Sequence, residues 1–127
     1  MNKLIINGTS NSPKLFFDCE TNVLEIMGYS YMENVVEFYK PIFKWLSEYL
    51  ATLSSQCIVK MNLNYFNTSS SRCIMKLLDM LEEKHLEGYD IQVYWYYDVD
   101  NESLKELGED FKSELKLNFD IVPLKND

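Results

Sequence analysis

The densest run of side chains able to carry chemistry is Asn64-Tyr65-Phe66-Asn67-Thr68-Ser69-Ser70-Ser71-Arg72, four consecutive hydroxyls closed by a guanidinium. Hydroxyls accept phosphoryl groups. In a helix beginning near Ser69, Arg72 lies in the first turn, four residues from Thr68, within reach of a phosphate carried there. Unpaired amides and the positive end of the helix dipole favour an anion at such a point by about 0.3 to 1 kcal/mol. Ser69 and Ser70 are the fallback acceptors, while Ser71, Asn67, Asn64 and Tyr65 complete the surroundings. The same run has a plainer use, because hydroxyl residues cap helices at any strand-to-helix junction.

Other chemistries find less material. His85 is the sole histidine, Gly8, Gly28, Gly88 and Gly108 stand isolated, and neither G-x-S-x-G nor a P-loop occurs, so catalysis is not expected. Asp98-Val99-Asp100-Asn101-Glu102 lacks the glycine and distant glutamate of an EF-hand and reads as a solvated helix start. His85 falls near a helix end, where a capping or surface role is expected. Cys19, Cys57 and Cys73 form no zinc-binding set and read as reduced interior thiols. Neither metal nor cofactor is expected.

With 12 Lys plus Arg against 20 Asp plus Glu, the 127 residues carry a net charge of −8. That disfavours nucleic acid and anionic membranes and makes a basic partner surface the expectation. No apolar run approaches the ~18 residues of a membrane span, and the N-terminal run is too short for a signal peptide. A cytoplasmic protein without membrane insertion follows. The sequons at Asn7, Asn67 and Asn101 are then idle.

These residues must be positioned by the elements around them. Strands are expected over 3–6, 14–18 and 23–27, the last two forming an N-terminal β-hairpin. Ser30-Tyr31-Met32-Glu33 has capping-box spacing, and apolar residues from Val35 to Leu53 recur at helical steps. Pro41 predicts a kink there or two abutting helices. Alternation over 57–66 gives a strand, and the helix that follows stops at Gly88. A strand over 90–97, a helix over 102–115 and a short strand over 118–122 complete the order. Strand and helix alternate after the hairpin, so the expected fold is α/β, one domain over 1–127 with a mostly parallel central sheet. Few helices are available, which favours cover on one sheet face only. In Tyr94-Trp95-Tyr96-Tyr97 the alternate pairs face opposite ways, one pair in the core and the other on a protein-contact or helix-covered surface rather than a base-stacking platform at this charge, with ordinary core packing of the run the plainer reading.

Three runs carry a family resemblance: Glu33-Asn34-Val35-Val36-Glu37-Phe38-Tyr39 with Pro41 and Trp45-Leu46, then Tyr65-Phe66-Asn67-Thr68-Ser69-Ser70-Ser71, then Val93-Tyr94-Trp95-Tyr96-Tyr97-Asp98. In these the chain resembles the SiaC regulatory phosphoproteins of bacteria, similar in fold to STAS-class anti-sigma-factor antagonists. Met32 stands where that family has a proline before the Glu-Asn pair. The resemblance implies that Thr68 is the phosphoacceptor of a serine/threonine kinase built on the histidine-kinase-like ATPase fold. It implies further that a metal-dependent protein phosphatase removes the phosphate, and that the unphosphorylated protein binds and activates a diguanylate cyclase. On this reading the chain is a non-enzymatic phospho-switch in cyclic di-GMP signalling, with Glu33, Asn34 and Glu37 as possible partner surface. The rival is a constitutive interaction or dimerisation module in which Thr68 is only a helix cap.

Overall fold

The computed structural model describes residues 1–125. The elements run β1 (Leu4–Ile6), β2 (Lys14–Asp18), β3 (Val23–Ser30), α1 (Val35–Thr52), β4 (Cys57–Phe66), α2 (Thr68–Leu86), β5 (Ile91–Asp98), α3 (Glu102–Ser113) and β6 (Asn118–Leu124). All six strands join one sheet in sequence order. β1, β2 and β3 pair antiparallel, and β3 to β6 pair parallel. The mostly parallel α/β arrangement read from the alternation is the one present.

Sequential order decides where the helices lie. Each parallel step needs a right-handed crossover and all three steps advance the same way, so α1, α2 and α3 cover one face of the sheet. Burial alternates accordingly: Val59, Met61 and Leu63 on β4 and Val93 and Trp95 on β5 are sealed under the helices. Lys60, Asn62, Tyr94 and Tyr96 sit partly exposed on the helix-free side.

The β2–β3 turn is held by Asp18, whose Oδ1 accepts from the Glu20 amide at 2.9 Å and the Thr21 amide at 3.4 Å, while Asn22 takes φ +61°. The Glu20 amide foremost holds the Asp18 carboxyl below its ordinary range. Gly88 ends α2 at φ +104°, the left-handed conformation that suits a residue without Cβ.

Three local expectations need correction. Ser30 is not the cap of α1: β3 extends through it, its side chain is buried, and Asn34 precedes the helix without a side-chain cap bond. α1 is one helix of 18 residues through Pro41, so the two-helix alternative fails. Of the three cysteines, all free, only Cys57 is interior, and Cys19 and Cys73 are partly exposed.

Candidate functional site at the head of α2

β4 aims its last residues at the site through an irregularity in pairing. Gly28 on β3 opposes Leu63, but Tyr29 opposes Tyr65, leaving Asn64 as the extra residue. Such a bulge resets the inward and outward alternation. Tyr65, which strict alternation puts on the core side, is instead 53% exposed, and Phe66 turns inward against Trp95 and Phe111. Asn64 is exposed as well.

Asn67 then caps α2. Its side-chain oxygen accepts from the Ser70 amide at 3.0 Å, and its carbonyl accepts from the Ser71 amide at 2.9 Å. Thr68 is therefore the first helical residue and not the cap. In its literal form, with Thr68 as a cap, the bland reading is incorrect. The Thr68 side chain is exposed, and among the described residues its hydroxyl has no hydrogen-bond partner. Ser69 and Arg72 are exposed and Ser71 is half-buried.

Ser70 corrects the expectation of a fallback acceptor, since it is fully buried. The Ser30 hydroxyl donates to its oxygen at 2.7 Å and shares a second 2.7 Å hydrogen bond with the Tyr39 hydroxyl. Ser30 has one proton to give, so Tyr39 is the donor in that second bond. Burial foremost pushes the Tyr39 phenol up to about 12. The chain of three hydroxyls ties β3, α1 and α2 together beneath Thr68, and the Asn67 amide adds a bond to the Ser30 carbonyl at 3.2 Å.

Around this core lie features that sequence reasoning missed. Tyr29, Tyr31 and Tyr65, each more than two-fifths exposed, meet edge to face at 6.3 and 5.8 Å beside the head of α2. Tyr29 and Tyr31 flank Ser30 at strand spacing, a signal hidden when β3 is ended at Met27. Between α1 and α2 a groove of about 510 Å³ is lined by Val36, Glu37, Lys40, Phe43, Arg72, Cys73 and Lys76. Glu37 thus shares a surface with Arg72; Glu33 and Asn34 are exposed just before α1 but outside the groove lining.

The remaining candidates are structural. Asp98 accepts from the Asp100 amide at 3.0 Å and Asn101 caps α3 through the Leu104 amide at 3.1 Å. Among the described residues no group of three or more His, Cys, Asp or Glu side chains could hold a metal ion, and no helix is long and apolar enough to cross a membrane. His85 lies in the last turn of α2, partly exposed. Trp95 and Tyr97 are core, and Tyr94 and Tyr96 lie 6.3 Å apart on the helix-free face.

Comparison with known proteins agrees along nearly the whole chain. An uncharacterized protein of Pseudomonas aeruginosa (strain UCBPP-PA14) is 35% identical over 121 residues, 95% of this chain and 96% of its own length. The crystal structure of apo-SiaC from Pseudomonas aeruginosa superposes with a TM-score of 0.91 at 34% identity, covering 96% of this chain and 99% of that one. A chain of the crystal structure of the diguanylate cyclase SiaD in complex with its activator SiaC, from the same species, gives a TM-score of 0.91 at 34% identity, covering 95% and 99%. Residues 6–124 match the SiaC family regulatory phosphoprotein profile, and the chain belongs to that family.

Proposed function

We propose that this protein is a non-enzymatic cytoplasmic switch, acting as one domain over residues 1–127, that engages a diguanylate cyclase or another signalling protein when Thr68 is unmodified. A serine/threonine kinase of the histidine-kinase-like ATPase fold adds the phosphate and a metal-dependent protein phosphatase removes it, as in STAS-type partner switching. The observation that carries the reading is the state of Thr68: exposed, the first residue of α2, its hydroxyl without a partner among the described residues and relieved of capping by Asn67. A side chain with no structural duty there is available to a modifying enzyme. Asn64, Tyr65, Asn67, Ser69, Ser71 and Arg72 form the surface around it.

Phosphate adds about −1.5 to −2 charge, and covering it with a partner that offers no cation costs several kcal/mol of desolvation. About 4 kcal/mol is a thousandfold in affinity. The test is phosphopeptide mass spectrometry of protein from its own host, with binding of Thr68→Ala and Thr68→Glu variants to that host's diguanylate cyclases. Phosphate on Thr68 and loss of binding in Thr68→Glu alone are expected. Phosphate found only elsewhere overturns the assignment, and intact binding by Thr68→Glu favours a constitutive module.

A further inference from the structure

With all three helices on one face of the sheet, the pairing register lays out the other face as a grid. One row crosses all six strands as Ile5, Phe16, Glu25, Lys60, Tyr94 and Asp120. Val23 and Ile58 are neighbours in the row to one side, and Lys14, Met27 and Asn62 in the row to the other. Ile5 and Phe16 are exposed, and Val23, Met27, Ile58 and Tyr94 are partly exposed. Glu25 and Lys60 sit side by side at the centre, yet neither side chain has an ion pair within 4.0 Å or a hydrogen bond among the described residues. Lys14 and Lys60 balance Glu25 and Asp120, so these rows carry 2 − 2 = 0 on a chain of net −8. Here alone in the sheet, apolar surface is free of the repulsion that opposes association of like chains.

We propose that this face joins a second copy of the chain about a twofold axis running along the strands between β3 and β4. When two faces meet, a twofold axis lies in the plane between them, so this one sets β3 against β4 and β2 against β5 of the second copy. Glu25 then meets Lys60 of the second copy, Phe16 meets Tyr94 and Val23 meets Ile58, each pair occurring twice. Opposite charges occupy the centre and apolar groups flank them. Other placements do worse: an axis one strand over, between β4 and β5, sets Glu25 on Asp120, and one turned across the strands sets Glu25 and Lys60 each on its own twin. Sheets packed in alignment interdigitate about 10 Å apart, and their twist splays the rims, which leaves Ile5 and Asp120 on wet edges. Six strands at about 4.8 Å spacing, with about six residues of each, make a face of about 600 Å² in projection, small for a specific interface, so a weak reversible dimer is expected. The helices stay outside, and Thr68 at the head of α2 remains accessible in both copies.

Sedimentation equilibrium across a concentration series up to about 1 mM reads the association directly. The mass of the unchanged protein is expected to climb from 15.0 kDa towards twice that value. Glu25→Lys and Lys60→Glu each set like charges opposite one another at both central contacts, and each alone is expected to weaken association at least about tenfold. Mixed in equal amounts, the two variants are expected to associate again, because each supplies the charge that the other lacks. Such rescue between chains is not repair of a fold, since neither chain changes on mixing. Circular dichroism certifies that both variants are folded, and amide shifts of the unchanged protein on dilution, which need no variant, should centre on Phe16, Glu25, Lys60 and Tyr94. A mass of 15.0 kDa throughout, variants that associate as the unchanged protein does, a mixture no heavier than its components, or dilution shifts centred on the head of α2 overturn the proposal.

Discussion

Asn67 and Asn101 close the N-termini of α2 and α3 in the same way, each side-chain oxygen accepting from the amide three residues on, at 3.0 and 3.1 Å. The residues that follow diverge. After Asn101 comes Glu102, a carboxylate in the first turn; after Asn67 comes Thr68, and the first turn of α2 holds no acid. At the third helical position α3 has Leu104, its carbonyl bonded by the Trp95 indole at 3.1 Å, whereas α2 has Ser70, buried and bonded to Ser30. One junction is finished in charge and packing. The other leaves its charge position vacant, over a foundation of buried, hydrogen-bonded hydroxyls.

The largest effect expected lies at the finished junction. Gly108 on α3 is buried, and the Trp95 ring already fills the place where a Cβ would be. Gly108→Ala forces α3 off β5, and overpacking of this kind costs about 1–3 kcal/mol. Urea midpoints should fall by the corresponding amount, while partner binding by the folded protein is expected to persist because the head of α2 is held by Asn67 and by the Ser30–Ser70 bond. Lost affinity in fully folded Gly108→Ala would mean the two junctions are coupled.

Next comes the foundation of the open junction. Ser70→Ala leaves the Ser30 hydroxyl without its acceptor in a buried site, at about 1–3 kcal/mol. Alkali probes the same network. The folded Tyr39 phenol titrates near 12, above its ordinary value of 10.0, so its contribution is intact below about pH 10 and is lost as pH rises through 12. Cys57, pushed to about 11 by burial, acts in the same direction from a lower pH. Tyrosinate absorbance should show Tyr39 ionising late, and Tyr39→Phe should flatten the alkaline loss of stability. Ionisation of Tyr39 at the ordinary value of 10.0 would show that the hydroxyl chain is open to water.

Asn67→Ala and Asn101→Ala should each cost about 1 kcal/mol, and their sum should be near additive because the caps share no partner. On the switch reading their consequences should differ: thermal melts should be alike, but only Asn67→Ala should alter the rate at which a kinase modifies Thr68.

How much of this was legible in the sequence depends on the range of the cause. Period-two runs and helical spacing are local, and the strands, helices and one-sided cover follow from them. The hydroxyl run at 67–72 was legible as a helix start beside a strand end. Which hydroxyl is exposed was not, because burial of Ser70 is set by Ser30, 40 residues earlier. The outward turn of Tyr65 depends on a pairing slip against β3, visible only once two strands are aligned. The groove cations come from two helices and lie dispersed along the chain. α1 stays unbroken at Pro41 for a related reason: a proline removes one bond, and burial of Tyr39, Ile42 and Leu46 outweighs it.

The smallest effect is the most telling about the vacancy. Thr68 and Glu102 occupy the same position, the first after their caps, so Thr68→Glu should gain what Glu102→Gln loses. A carboxylate at a helix N-terminus is worth about 0.3–1 kcal/mol, falling as salt screens it. Calorimetry at low ionic strength should therefore show Thr68→Glu melting slightly above the parent and Glu102→Gln slightly below, with both differences shrinking in salt. On the switch reading the stabilised variant is also the one that loses its partner. A gain in stability joined to a loss of binding separates charge exclusion at the surface from damage to the fold, since damage moves both quantities down together. Thr68→Glu melting below the parent would show that the first turn of α2 has no room for charge, and the comparison of the two junctions would fail at its central point.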